Sequence, residues 1–149
     1  MTSVYNSVFV GYPEGLQIDG QKGNSPSRAD ANELQIENSV LAGMTVNYVE
    51  RTGTVATPYT VAQHTAYFQA ASRHNVDNMT VSDVIGLSLI NLTSPNLLPP
   101  TGSPLFTGSS FTNPRLADAF FTTVAFRGAF GNDNWTSGWC NWDPQNTVY

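Results

Sequence analysis

Three observations predict a mainly β chain, folded as a parallel β-helix of a few coils. Charged residues are only 11% of its 149 positions, well below the roughly 25% of an average soluble domain, and Asn, Thr, Ser and Gln supply the polar surface instead. The segment Asn6-Ser7-Val8-Phe9-Val10-Gly11 returns as Asn38-Ser39-Val40-Leu41-Ala42-Gly43, an offset of 32 residues. Apolar residues also alternate in short runs, at Val8 and Val10, Leu16 and Ile18, Leu34 and Ile36, and Val40 and Ala42. Such period-two runs, broken by Asn-Ser, Gly-Tyr-Pro-Glu-Gly or Asp-Gly, read as short strands joined by tight turns. A strand that short buries its face only by stacking on the next repeat.

One domain is expected, divided into repeat coils over 1–50, a helical insertion over 57–92, and a last coil with a C-terminal cap over 94–149. In the coils, Asn6 and Asn38 would hold equivalent corners, each side chain bonding its neighbour one coil above. Gly11 and Gly43 would supply the positive φ of the adjacent corner. Leu16-Gln17-Ile18-Asp19-Gly20 and Leu34-Gln35-Ile36-Glu37-Asn38 read as a second pair of equivalent strands. The stretch 21–31 has no periodicity and reads as a surface loop, and a further strand is expected near 45–49. Over 59–74 the spacing of Val61, Thr65, Phe68 and Ala71/Ser72 fits an amphipathic helix starting at Thr57-Pro58 or Thr60. Thr80-Val81-Ser82-Asp83 opens like a capping box, while Gly86 and the β-branched residues leave 84–90 undecided. Three Pro-containing pieces over 94–110 force extended or turn backbone, with last strands expected at Leu105-Phe106 and 122–126.

Six Lys+Arg against eleven Asp+Glu give a net charge of -5. Without a basic cluster there is little to displace counterions from a phosphate backbone, so no nucleic-acid partner is expected, and the same deficit argues against an anionic membrane surface. The longest apolar candidate, 84–92, is interrupted by Gly86, Ser88 and Asn91 and falls short of the ~20 residues of a spanning helix, so no membrane insertion is expected. Cys140 is alone, which closes intrachain disulfide and Cys-based metal readings. Flanked by Trp139 and Asn141 with no basic partner, it reads as a packing residue. The first residues lack the basic and apolar regions of a secretory signal. Export by another route, or a natural start further upstream, is therefore expected.

The run Leu98-Pro99-Pro100-Thr101-Gly102-Ser103-Pro104-Leu105, followed by Thr107-Gly108-Ser109-Ser110-Phe111, resembles the final coil of secreted right-handed parallel β-helix proteins. The tail, with Phe120-Phe121-Thr122-Thr123-Val124-Ala125-Phe126-Arg127-Gly128-Ala129-Phe130-Gly131, then Asn134-Trp135-Thr136-Ser137-Gly138-Trp139 and Asp143-Pro144-Gln145-Asn146, is similar to the C-terminal signature of a family of surface or secreted proteins of Gram-negative bacteria. The resemblance implies a right-handed parallel β-helix with one inserted α-helix and an aromatic-rich cap, in an extracellular or cell-surface setting. It implies no catalytic residue and no cofactor. Family members carry further coils and an export signal, so it also implies either the C-terminal portion of a longer protein or a minimal member. So short a stack exposes its N-terminal strand edges, and homo-oligomerisation through residues 2–10 is expected.

Trp135, Trp139 and Trp142, with Phe130 and Tyr149, form the densest aromatic cluster. The rings read first as a cap over the open end of the coils, each burying on the order of 150–250 Å². The alternative is a glycan site, in which Trp135, Trp139 and Trp142 stack on sugar rings while Asn134 and Asp143, with Asn132 and Asp133, supply hydrogen bonds. Asn132-Asp133-Asn134 has oxygens suited to Ca²⁺ but not the spacing of a known calcium loop; it reads as a turn, and no metal site is assigned. His64 and His74 are too far apart to share a helix face at adjacent turns, and no Gly-x-Ser-x-Gly elbow is present, so no catalytic residue is assigned. Asp19 and Glu37, with Arg28 or Arg51, are the set a polysaccharide lyase or hydrolase would draw on. The function expected is a non-catalytic structural or adhesive module of an exported cell-surface protein, with a polysaccharide or cell-surface partner. The alternative is a carbohydrate-binding or carbohydrate-active fragment.

Overall fold

The computed structural model describes residues 2–21, 23–51, 58–85, 91 and 93–148. A first pass of the chain lays down β1 (Val4–Tyr5), β2 (Val8–Val10) and β3 (Glu14–Leu16), and a second pass lays down β4 (Ile36–Glu37), β5 (Val40–Ala42) and β6 (Val46–Tyr48). Each strand of the first pass lies parallel to its counterpart in the second, giving three separate sheets, and β7 (Val76–Met79) adds a third strand to the central one. Val4 faces Ile36, Val8 faces Val40 and Leu16 faces Tyr48, so the 32-residue repeat is the pairing register itself. The excursions between strands hold α1 (Ser25–Asp30) and α2 (Val61–Phe68), and α3 (Val81–Val84) follows β7.

The expected fold class is corrected. Instead of a mainly β helix of stacked coils closed by a cap, the chain forms a small mixed α/β fold: parallel sheets of two or three strands, with three α-helices among the described residues. The physical reason lies in the C-terminal third, which adds no strand to any sheet among the described residues. Leu105 and Phe106 sit in a single 3₁₀ turn, Pro104–Phe106, which Ser103 caps by accepting the Leu105 N–H. Proline lacks the N–H a ladder needs, and its fixed φ suits the first turn of a helix. The run 122–126 alternates but has no strand partner; it is held by the Ser109 hydroxyl on the Val124 carbonyl.

Other expectations are corrected in the same way. The stretch 21–31 is not wholly loop, because Pro26 starts α1 and Ala29 buries its one inward side chain. Leu16 and Leu34 are not equivalent, since Leu16 pairs with Tyr48 while Val4 pairs with Ile36. Asn6 and Asn38 do hold equivalent corners, both left-handed at φ 50 and 52, and His74 at φ 53 holds the third. The ladder between passes is made one residue later: the Ser7 N–H donates to Ser39 Oγ (3.2 Å) and the Ser39 N–H to Asn75 Oδ1 (2.8 Å). Gly11 and Gly43 have the expected positive φ.

α2 begins at Thr60, whose hydroxyl accepts the Gln63 N–H while the Gln63 side chain accepts the Thr60 N–H. It ends at Phe68, short of residue 74, and its buried face is His64, Tyr67 and Phe68 while Val61 stays exposed. The Thr80/Asp83 capping box is present at the start of α3. Thr57, residues 86–90, Leu92 and Tyr149 lie outside the described residues.

Alternation along β2 and β5 sends side chains to two different cores. Leu41 joins Ile36, Tyr48, Tyr67 and Phe68 in the core between the sheets and α2. Val40 and Ala42 face the opposite way, packing with Val8, Val10, Val84 and Leu105. Leu41 is 4% exposed whereas Phe9, its partner in the first pass, is 39% exposed. The C-terminal segment is anchored to this first pass at Asn6 and at Ser3, to whose hydroxyl Arg115 donates. Asn6 exchanges side-chain hydrogen bonds with the Ser110 backbone (3.0 and 2.9 Å) and accepts the Gly128 N–H on its carbonyl (2.7 Å).

Candidate functional site

The tail folds as a series of turns held by its own Asn, Asp and Thr side chains. Asn134 Oδ1 accepts the Thr136 N–H (3.2 Å) and hydroxyl (2.6 Å), and Asp143 Oδ1 accepts from the Asn146 amide (2.8 Å). These side chains serve the turns, as Asx residues commonly do. The turn at Asn134 sets the indoles beside it. Phe130 and Trp135 stack with centroids 5.4 Å apart at 15°, and Trp135 and Trp139 stack at 5.7 Å and 26°. The Trp135 indole N–H donates to the Ala129 carbonyl (2.9 Å) and that of Trp139 to the Trp135 carbonyl (2.6 Å).

The rings do not close an end of the sheets. Trp135 is 49% exposed, Trp139 68% and Trp142 42%, so the expected cap is corrected. The C-terminal segment is fixed to the molecule through Asn113, Arg115 and Arg127 and by Asn6, and the indole N–H groups find local carbonyls rather than partners in the sheets. Of the five residues expected at a glycan site, Trp135 and Trp139 come together with Asn134 at their base. Trp142 makes no ring contact with them among the described residues, and Asp143 belongs to the next turn. Asn132 and Asp133 are exposed. Cys140 is half-buried.

The titratable candidates are dispersed. His64 is buried, its Nδ1 donating to the Thr60 carbonyl (2.8 Å) and its Nε2 accepting the Ile18 N–H (2.8 Å). That pattern requires the neutral ring, and burial lowers its pKa. Asp19 and Glu37 do not occupy matching positions: Asp19 accepts the Gln21 N–H, while Glu37 pairs with Tyr5 in the strand register and takes the Asn113 amide. Arg28 pairs with Glu33, Arg51 donates to Gln17, and His74 is exposed at its corner.

One site escaped the sequence reading. A cavity of about 670 Å³ lies between the outer face of β2 and the C-terminal segment, walled by Val8, Val10, Val84, Leu105 and Phe126 with Arg127 among them. Arg127 is 8% exposed. Its Nε donates to the Gly108 carbonyl (2.9 Å) and its Nη2 to the His74 carbonyl (3.2 Å). Gly108, at φ 88, leaves the space the guanidinium fills; a Cβ there would fall 2.6 Å from Cζ. Burial lowers the Arg127 pKa, yet a guanidinium stays cationic at any ordinary pH. The available signal was a lone cation inside the apolar run 120–130. No known protein family, curated protein or solved structure matches the chain.

Proposed function

We propose that the chain is a non-catalytic adhesive module of an exported cell-surface protein, and that the Trp135–Trp139 stack is its contact with polysaccharide. The observation that carries this reading is a pair of indoles left in solvent yet fixed in place. Each N–H is tied to a backbone carbonyl and each ring is stacked on a neighbour. An exposed aromatic patch of this kind marks a contact surface, and a rigid Trp offers a large contact area at low entropic cost. The low charge of the chain as a whole supports the setting. Self-association through the open first pass belongs to the same reading.

Affinity electrophoresis or a pull-down on a panel of neutral and acidic polysaccharides tests it. Trp139→Ala and Trp135→Ala are expected to weaken retention about tenfold or more, with the unfolding midpoint of Trp139→Ala close to that of the parent chain. Retention on no polysaccharide, or equal retention of the double variant, would sink the proposal.

A further inference from the structure

We propose that the chain forms a twofold dimer through the open edge of its first pass, with Phe9 of one copy opposite Phe9 of the other on an antiparallel β2–β2 pair. The backbone bonds of the second pass show which groups the first leaves free. Val40 donates its N–H to the Ser7 carbonyl (2.8 Å), and the Ala42 carbonyl accepts the Gly11 N–H (3.0 Å). Val40 and Ala42 therefore turn their peptide groups towards the first pass, and Val8 and Val10 hold the same places in the register one pass earlier. Their N–H and C=O groups face the open edge, where no strand pairs with β2 among the described residues.

That spacing suits an antiparallel copy. In such a ladder, hydrogen-bonded residue pairs alternate with pairs whose side chains come closer. Val8 then exchanges both bonds with Val10 of the second copy, Val10 does the same with Val8 of the second copy, and the two Phe9 rings meet across the axis. Aromatic cross-strand pairs stabilise a sheet, and Phe9 is 39% exposed before pairing. The edge takes a strand that is apolar on both faces. Val8 and Val10 line a cavity of about 670 Å³ with Val124 and Phe126, and Phe9 lines one of about 400 Å³ with Val4 and Leu16, so alternate side chains of an added strand each find apolar walls. β2 itself, Val-Phe-Val, is such a strand. Residues 2–13 carry no Asp, Glu, Lys or Arg, so no like charges oppose the approach of two identical edges. The ends of the molecule decide the geometry. β1, β2 and β3 are all outermost at the first pass, whereas at the far end β7 extends the central sheet alone. A level end matches its own copy and not the stepped one, so the contact closes at two chains. The dimer rests on the self-association included in the reading above, and not on the Trp135–Trp139 contact.

Sedimentation equilibrium of the full chain should give a mass that rises with concentration and levels at twice 16.1 kDa. Phe9→Glu and Phe9→Lys, each alone, should weaken dimerisation at least about tenfold, because like charges then stand directly opposite, and an equimolar mixture of the two should restore it. Phe9→Cys in a Cys140→Ser background should crosslink copy to copy under mild oxidation, since so close a pair suits a disulfide. Val46→Cys in the same background, equally in solvent but on the second pass, should not. Circular dichroism checks that each variant folds, and polysaccharide retention is measured on the same samples: lost retention with the dimer intact counts against the adhesive reading, and a lost dimer with retention intact counts against the pairing. A parent chain that stays monomeric, a mass that climbs past two copies, no rescue in the mixture, or crosslinking through Val46→Cys as fast as through Phe9→Cys would each overturn the assignment.

Discussion

His64 shows what a buried histidine does in this molecule. Its two ring nitrogens join the start of α2 to the amide of Ile18, and protonation would leave that amide facing a donor. Because burial depresses its folded-state pKa below 6.5, its contribution to stability is complete above about pH 6.5 and declines as pH falls from there towards the folded-state value. The denaturant midpoint should therefore drop between about pH 7 and pH 5, with a slope no steeper than about 1.4 kcal/mol per pH unit. His64→Gln, which can still accept from Ile18 but cannot titrate, should flatten that slope; an identical slope in the variant would refute the assignment. Sequence spacing had already separated His64 from His74, but it could not show that both nitrogens were occupied. Arg127 was harder still to read. Its burial comes from Gly108, His74 and the C-terminal segment converging, and no local pattern encodes a contact between parts of the chain so far apart.

At the level of elements, whatever depends on neighbouring residues was legible. The Thr80/Asp83 capping box and Thr60 as one of two expected starts of α2 were legible because caps are local chemistry, while the Thr60/Gln63 box itself was not read; the 32-residue repeat was legible because parallel pairing copies one register into the next. The six residues of α1 are under two turns, too few to show a period, so only Pro26 marked them. The misread strands at Leu105-Phe106 and 122–126 show the other limit: alternation is necessary for a half-buried strand, but a strand also needs an edge to pair with. The caps give a direct test. Thr60→Ala should destabilise the protein by ~0.5–2 kcal/mol through loss of the Gln63 N–H partner, whereas Thr65→Ala, whose exposed hydroxyl bonds back to the Val61 carbonyl, should change stability by less than about 0.5 kcal/mol. Chemical denaturation distinguishes the two, and equal effects would remove the cap's special role.

For the whole molecule, the contrast between Leu41 and Phe9 matters most. The second pass is covered by the first, whereas the first, which the C-terminal segment touches at Ser3 and Asn6, has β1, β2 and β3 each paired with a strand on one edge only among the described residues. An open apolar edge is a template for another chain. The protein should therefore self-associate as its concentration rises in light scattering, and Phe9→Glu should keep it monomeric at little cost in stability, since that ring is already part-exposed; a parent chain that stays monomeric throughout would count against it. The aromatic tail was legible as a cluster and illegible as a surface, because composition does not say which side of a ring meets water. The constant register has one more consequence, for what lengths of chain the fold accepts. Added residues after Gly23, an exposed position between β3 and α1 where a Cβ would meet nothing, leave all three sheets in step. A single deletion between β1 and β2 would instead pull one sheet out of phase with the other two, and turn Phe9 and Val10 to each other's faces. The excursions between passes are therefore where such a chain can gain length, and the short corners are where it cannot.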